Sequence, residues 1–268
     1  MNRSHIPLGQ LLQPELPANT SVKLIGLGGV GSIVARYAAM FLASLRRDAR
    51  LVLIDGDTFE PGNATRMFFG SCGNKAVVTR DELLPRFADS CLTLLAIEEY
   101  LTPENISRLL QNGDLLLLAV DNHATRRLVN DFCATQLADV CLISGGNDGV
   151  EQPADGPARR GTYGNVQVFL RRAGADCTPS LDRYHPEIAQ PSDHLPTDKS
   201  CTELIASVPQ ILFTNLTVAA AMLNTLWLHL CGALHYSELA FDIADGLMRP
   251  VPLPAPKGNS APHLPTLG

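Results

Sequence analysis

Residues 26–31 read Gly-Leu-Gly-Gly-Val-Gly, set between an apolar run, SVKLI, and a stretch of helical spacing, VARYAAMFLASLRR. A GxGxxG at such a junction narrows the fold sharply. Its glycines permit a tight turn and a close backbone approach to phosphate. The following helix offers unpaired N–H groups and partial positive charge to the same anion. A second apolar run, ARLVLIDGD, turns acidic at Asp55, where a carboxylate can accept hydrogen bonds from a ribose. Strand, glycine turn, helix and acid-ended strand make one βαβ unit, in which Gly26, Gly28, Gly29, Gly31 and Asp55 are expected to bind a nucleotide.

The alternation continues. Residues 75–89 predict a helix, SCLTLLAIEEYL holds a strand, and TPENISRLLQNG predicts a helix capped at Thr102 and ending near Gly113. DLLLLAVDN is a buried strand ending in acid at Asp121. ATRRLVNDFCATQLA is a helix, and VCLISGGND is a strand ending at Gly145 and Gly146. The expected fold is α/β: a Rossmann-like, doubly wound, mainly parallel sheet with ligands beyond the carboxyl ends of its strands. After Gly149 the texture changes. TYGNVQVFLRR alternates as an antiparallel strand does, residues 173–200 form a long Pro-, Asp- and His-rich loop, a long helix follows, and ELAFDI is a last strand. The expected organisation is an N-terminal arm (1–20), one domain (21–248) and a loose Pro-rich tail (249–268). The domain has a nucleotide-binding half (21–150) and an antiparallel half carrying the long loop and long helix (151–248).

Composition excludes some functions. The 268-residue chain carries a net charge of −6, which disfavours non-specific binding to nucleic acid or an anionic membrane. Seven cysteines, no two spaced as CxxC, argue against a disulfide framework and against a structural zinc. Reduced thiols and a start, MNRSHIPLGQ, without an apolar core of signal type give a cytoplasmic expectation. Leu204 to Ser237 lacks any charged Asp, Glu, Lys or Arg. A membrane span needs roughly 20 mostly apolar residues. Pro209, Gln210, Asn215, Asn224 and His229 interrupt the run, so a helix buried against protein is expected instead.

A dehydrogenase would share the glycine loop and Asp55. The residues that follow point elsewhere. Asp57 leads to Asn63, Arg66 and Lys75, and two cations just past a ribose acid suit a triphosphate. Asp121 and Asn122 close the next parallel strand, where a carboxylate can hold Mg²⁺ beside phosphate oxygens. Each residue alone has an ordinary explanation, a solvated charge or a helix cap. Together, at the rim of one cleft, they favour ATP and Mg²⁺.

The ordered set GLGGVG, LIDGDTFEPGNATRMFF, GNKA and AVDNHATRRLVND resembles the E1-like, ThiF/MoeB-type activating enzymes, strongly over residues 20–145 and weakly over 160–245. The resemblance implies ATP-dependent adenylation of the C-terminal carboxylate of a ubiquitin-like or sulfur-carrier protein. It places Asp55 on the ribose, Asn63, Arg66 and Lys75 on the phosphates, and Asp121 on Mg²⁺. It also implies a homodimer in which Arg3 is the candidate for an arginine donated by one protomer's arm to the other, and it raises an E2-like partner. Two departures stand out: Met67 replaces the glutamine common after the arginine, and the CxxC pairs of many relatives are missing.

Many such enzymes pass the acyl group to a cysteine. Cys91, Cys133, Cys141 and Cys231 lie in apolar or helical contexts, where inert buried thiols are the default. Cys72 follows the Arg66 segment, and Cys177 and Cys201 flank the long loop. Cys201, in DKSCTELIAS, stands at an expected helix start, where N–H groups lower a thiol pKa below about 8.5. That loop–Cys–helix order resembles bacterial ThiF-type proteins, so Cys201 leads, Cys177 is second, and the absence of any catalytic cysteine stays open. Four readings remain: adenylation with a thioester on Cys201, adenylation of a sulfur carrier or tRNA nucleoside without one, a non-catalytic scaffold, and an NAD dehydrogenase. A zinc set of His123, His185, His194, Cys177 and Cys201 matches no standard spacing.

Overall fold

The apolar runs become strands whose residues are buried on both faces, as a sheet covered by helices on each side requires. A computed structural model describes residues 11–59, 70–152, 158–198 and 209–253. Its first half runs β1 (Ser21–Ile25), α1 (Gly31–Ser44), β2 (Ala49–Ile54), β3 (Thr58–Phe59), β4 (Gly73–Asn74), α2 (Lys75–Phe87), β5 (Leu92–Ile97), α3 (Ile106–Leu109), β6 (Leu115–Leu118), α4 (His123–Gln136) and β7 (Val140–Asn147). The second half runs β8 (Val150–Glu151), β9 (Arg159–Arg160), β10 (Tyr163–Arg172), β11 (Ala175–Asp176), α5 (Pro186–Ala189), α6 (Leu212–Leu230), β12 (Tyr236–Asp242) and β13 (Leu247–Pro252).

The main sheet has the order β13-β12-β10-β7-β6-β1-β2-β5, with β11 added to β10. β5, β2, β1, β6 and β7 are parallel, and β10, β12 and β13 continue antiparallel. The expected α/β doubly wound architecture with an antiparallel extension is therefore present. One face is covered by α1, α2 and α6 around Val34, Ala38, Leu42, Val218, Met222 and Leu226. The other is covered by α3, α4 and the 178–190 segment around Leu109, Val129, Cys133, Phe169, Leu181 and Ile188. At the amino ends of the strands, the buried Lys23 ammonium pairs with Asp114 at 2.6 Å and donates to the Leu109 carbonyl.

Three expectations need correction. The helix expected from Thr102 to Gly113 is reduced to Ile106–Leu109. The Asn105 carboxamide is the cause: it accepts the Thr102 N–H and donates to Glu99 and the Tyr100 carbonyl, so a side-chain-built turn replaces a Thr102 cap. The tail expected from residue 249 begins as ordered strand, since β13 pairs with β12 through Pro252. Its prolines are tolerated because β13 is an edge strand. The long 173–200 loop is also not structureless over its described part. Thr178 and Leu181 bond to β10 and α4, and Leu181 and Ile188 enter the core. Among the described residues no helix is long and apolar enough to cross a membrane.

Candidate functional site

Strand order reverses between β1 and β6, which opens a crevice at their carboxyl ends. Gly26 turns there with φ +86°. A Cβ on Gly26 would lie 2.9 Å from the Ala119 carbonyl oxygen, and one on Gly31 would lie 1.8 Å from the Gly26 carbonyl oxygen. Glycine is thus required at both positions by the closeness of backbone to backbone. Gly28 accepts the Ser32 N–H as α1 begins. Gly29 packs against the buried Asn215 amide of α6.

Asp55 ties this loop to the end of β2. Its two carboxylate oxygens accept the N–H of Leu27 at 2.6 Å and of Asp57 at 2.8 Å. Burial pushes the Asp55 carboxyl above the ordinary carboxylate range, and the Lys75 charge and the two N–H bonds oppose that rise. Lys75 is nearly buried at the start of α2, and its ammonium pairs with the exposed Asp57 carboxylate. Sequence reasoning missed two neighbours. Asn74 caps α2 by accepting the Ala76 and Val77 N–H groups, while its amide holds the Asp55 and Asp57 carbonyls. The signal was GNKA itself, an Asn just before a helix. Tyr100 packs on Gly56. Burial, then the charges of Asp57 and Asp55, push its phenol up to about 12.

Asp121 is exposed between β6 and α4. Asn122 caps α4 by accepting the Thr125 N–H, so the ordinary helix-cap explanation of that residue holds alongside any other. Asp193, from the far end of the long loop, accepts the N–H groups of His123 and Ala124 at 2.8 Å each. Below it, His185 sits between Glu238 at 2.6 Å and Glu187 at 3.0 Å, and the bond to Glu238 raises its pKa above the usual imidazole value. Buried Arg126 reaches from α4 to the ends of β6 and β7. Among the described residues no group of three His, Cys, Asp or Glu can hold a metal. A single exposed carboxylate fits a magnesium ion shared with phosphate oxygens, which is how Mg²⁺ is usually held.

The structure brings together Gly26, Gly28, Gly29, Gly31, Asp55, Asp57, Lys75, Asp121 and Asn122. Asn63, Arg66, Cys201 and Arg3 lie outside the described residues. Cys133 and Cys141 are buried, with thiol pKa values pushed up to about 12 by desolvation. Cys91 is exposed, contrary to its apolar context, because it ends the turn before β5. Cys177 is exposed, but its N–H bonds Leu170, which stands opposite Cys141 at the start of β7. At about 3.3 Å per strand residue, that is roughly 15–20 Å from the crevice, at the opposite end of the sheet. Exposed Cys72 precedes β4, whose Asn74 touches the Asp55 turn, so it lies at the crevice end.

Comparisons agree with this geometry. The chain is 32% identical over 145 residues to an adenylyltransferase and sulfurtransferase MOCS3 of Dictyostelium discoideum, covering 51% of this chain and 32% of the relative. It is 30% identical over 142 residues to ubiquitin-like modifier-activating enzyme 5 of Arabidopsis thaliana, covering 47% of this chain and 32% of the relative. The chain thus spans about a third of these relatives' length. The crystal structure of E. coli MccB with AMPCPP and MccA superposes with a TM-score of 0.61 at 16% identity, covering 88% of this chain and 64% of MccB. PaaA superposes with a TM-score of 0.58 at 15% identity, covering 87% of this chain and 73% of PaaA. These two structures share the fold. The sequence pattern of the ThiF family matches residues 5–252, across the glycine loop, the acid-ended strands and the antiparallel extension, and the chain belongs to that family.

Proposed function

We propose that this protein uses ATP to adenylate the C-terminal carboxylate of a small ubiquitin-like or sulfur-carrier protein. The observation that carries the reading is the convergence of the glycine loop, Asp55, Lys75 and Asp121 on one crevice at the strand-order reversal. The names of the relatives, adenylyltransferase and modifier-activating enzyme, support the same chemistry. In the reaction, a carboxylate oxygen of the carrier attacks the α-phosphorus. The α–β bridging bond breaks, and pyrophosphate leaves with the electron pair. The attacking group and the phosphate are both anions, so cations must offset their repulsion. The α1 N-terminus and Lys75, whose ammonium pairs with Asp57 here, would hold the phosphates; Asn63 and Arg66, outside the described residues, are assigned to the phosphates by the resemblance alone. Asp55 would hold the ribose, and Asp121 would hold a Mg²⁺ ion, which when bound supplies positive charge beside the phosphates. The two halves act as one unit, because a single sheet runs through both and ends with β13 at Pro252.

ATP–pyrophosphate exchange with candidate carrier proteins tests the first step. Exchange that requires the carrier's free C-terminus is expected, and ATP binding without exchange on any carrier favours the scaffold reading. A second step, transfer to Cys201, rests on the loop–Cys–helix order. A thiol-sensitive adduct on a non-reducing gel is expected to vanish in Cys201→Ala. An adduct that survives there and vanishes in Cys72→Ala moves the nucleophile to the described cysteine at the crevice end. Exchange without any adduct favours the sulfur-carrier reading.

The protein also forms a homodimer in this account. α1 exposes Tyr37 and Met40, and the charge-free α6 packed beside it exposes Phe213 and Leu216. Sedimentation is expected to show a dimer that Phe213→Glu converts to a monomer. A monomeric parent protein contradicts it.

A further inference from the structure

We propose that Arg126 is a positioning residue for Asp121, holding the corner on which that carboxylate stands without itself touching the nucleotide. The inference rests on the reading of Asp121 as the magnesium-facing group. The Arg126 side chain is buried, and its guanidinium bonds three neutral acceptors. One nitrogen donates to the Val120 carbonyl at 2.6 Å and the Gly145 carbonyl at 2.8 Å, and the other donates to the Ser144 hydroxyl. The fork therefore ties the segment just past β6 to the last part of β7, and the carbonyl it grips there is that of Val120, the residue just before Asp121.

The residue just after Asp121 is pinned too. Asn122 is committed to the Thr125 N–H, and Asp193 clamps the next two N–H groups of the same helix turn. Asp121 is thus the one exposed link between two fixed neighbours. Its backbone is set while its carboxylate stays open.

A neutral side chain could staple two strand ends at lower cost. Burying a guanidinium among neutral acceptors costs free energy that a structural bond alone does not require. Desolvation lowers the Arg126 pKa to about 10, and the nearby charges of Asp121 and Asp193 oppose that fall. The planar fork explains the choice: it reaches acceptors on two strands in one fixed geometry, which a lysine cannot do. Gly146 is part of the same arrangement. A Cβ there would lie 2.8 Å from the Arg126 nitrogen that holds Val120 and Gly145, so glycine at that position makes room for the guanidinium.

The test uses Arg126→Lys, which keeps the charge and loses the fork, and Gly146→Ala, which keeps the arginine and displaces it. Mn²⁺ binding in the presence of AMPCPP is read directly from the free-Mn²⁺ paramagnetic resonance signal, with the magnesium dependence of exchange as the second readout. Groups that orient a metal's ligands typically contribute ~10–100-fold to metal affinity or activity. Both variants are expected to weaken Mn²⁺ binding by about 10-fold or more and to raise the half-saturating Mg²⁺ in parallel. Metal-free ATP affinity is expected to stay within about 3-fold. Melting curves establish that each variant is folded, and Ser144→Ala, which removes a single bond, serves if Arg126→Lys is not. Variants with lowered melting temperature but parental Mn²⁺ binding overturn the proposal, because the arginine is then only a structural staple. Parental Mn²⁺ binding in Asp121→Asn overturns the reading of Asp121 itself, and the role of Arg126 with it.

Discussion

Asp121→Asn is expected to lower ATP–pyrophosphate exchange ~10²–10³-fold, the effect of losing one preorganised charge-stabilising group from a transition state, or ~3–4 kcal/mol of barrier. The substitution keeps the shape of the side chain and removes its charge. Asp121 is exposed and follows a strand whose four residues are all buried, so the sheet holds the position rigidly while the carboxylate remains in solvent. Stability should therefore change by no more than about 0.5 kcal/mol, as is usual for surface substitutions. ATP should still bind, since the glycine loop, Asp55 and Lys75 are untouched. Rates are measured at saturating carrier and ATP, where a loss confined to kcat is the signature of an interaction made mainly in the transition state. Exchange within about 3-fold of the parent removes Asp121 from the reaction.

Gly31→Ala is the second large effect, and it acts through the backbone. The new methyl group would stand 1.8 Å from the Gly26 carbonyl oxygen, with the Ala119 side chain 3.4 Å away. Neither contact can yield by rotating a side chain. The glycine loop must open or α1 must lift from the sheet, and either movement spoils the cradle of N–H groups that would face phosphate. Overpacking usually costs ~1–3 kcal/mol and sometimes more, and this site is expected at or beyond the top of that range, with ATP affinity reduced at least ~100-fold. Gly113→Ala is the control. Gly113 has φ +83° but nothing within 4 Å of an added Cβ, so only the left-handed backbone cost of roughly 1–2 kcal/mol applies. Chemical unfolding and ATP titration of both variants check the contrast. A Gly31→Ala protein with parental ATP affinity contradicts the loop's assigned role.

Much of this arrangement is readable from the chain because it is local. β1, the glycine turn and α1 occupy consecutive residues, and each acid-ended apolar run announces a strand and the crevice position at its end. What escapes the sequence depends on pairings between distant residues. Lys23 interrupts the apolar run of β1 and Asp114 stands just before that of β6, and nothing in the sequence couples the two; only the β1–β6 pairing brings them together. Arg126 and Arg127 are adjacent in sequence, yet one is buried under the crevice and the other exposed. The buried face of α4, running through Arg126, Val129, Asn130 and Cys133, marks the difference in its helical spacing. Asp193 becomes a cap of α4 only because the loop that carries it is fastened at Thr178, Leu181 and His185 first. The separation of Cys177 from the crevice is likewise invisible until the antiparallel register of β10 carries its end away.

The most direct test of the central claim is carrier-dependent ATP–pyrophosphate exchange, run with an intact carrier and with the same carrier amidated at its C-terminus. Exchange is expected with the free carboxylate, none with the amide, and loss of the signal in Asp121→Asn. Exchange that is indifferent to the carrier's terminus, or ATP binding with no exchange on any carrier carboxylate, would contradict adenylation as the function of this crevice.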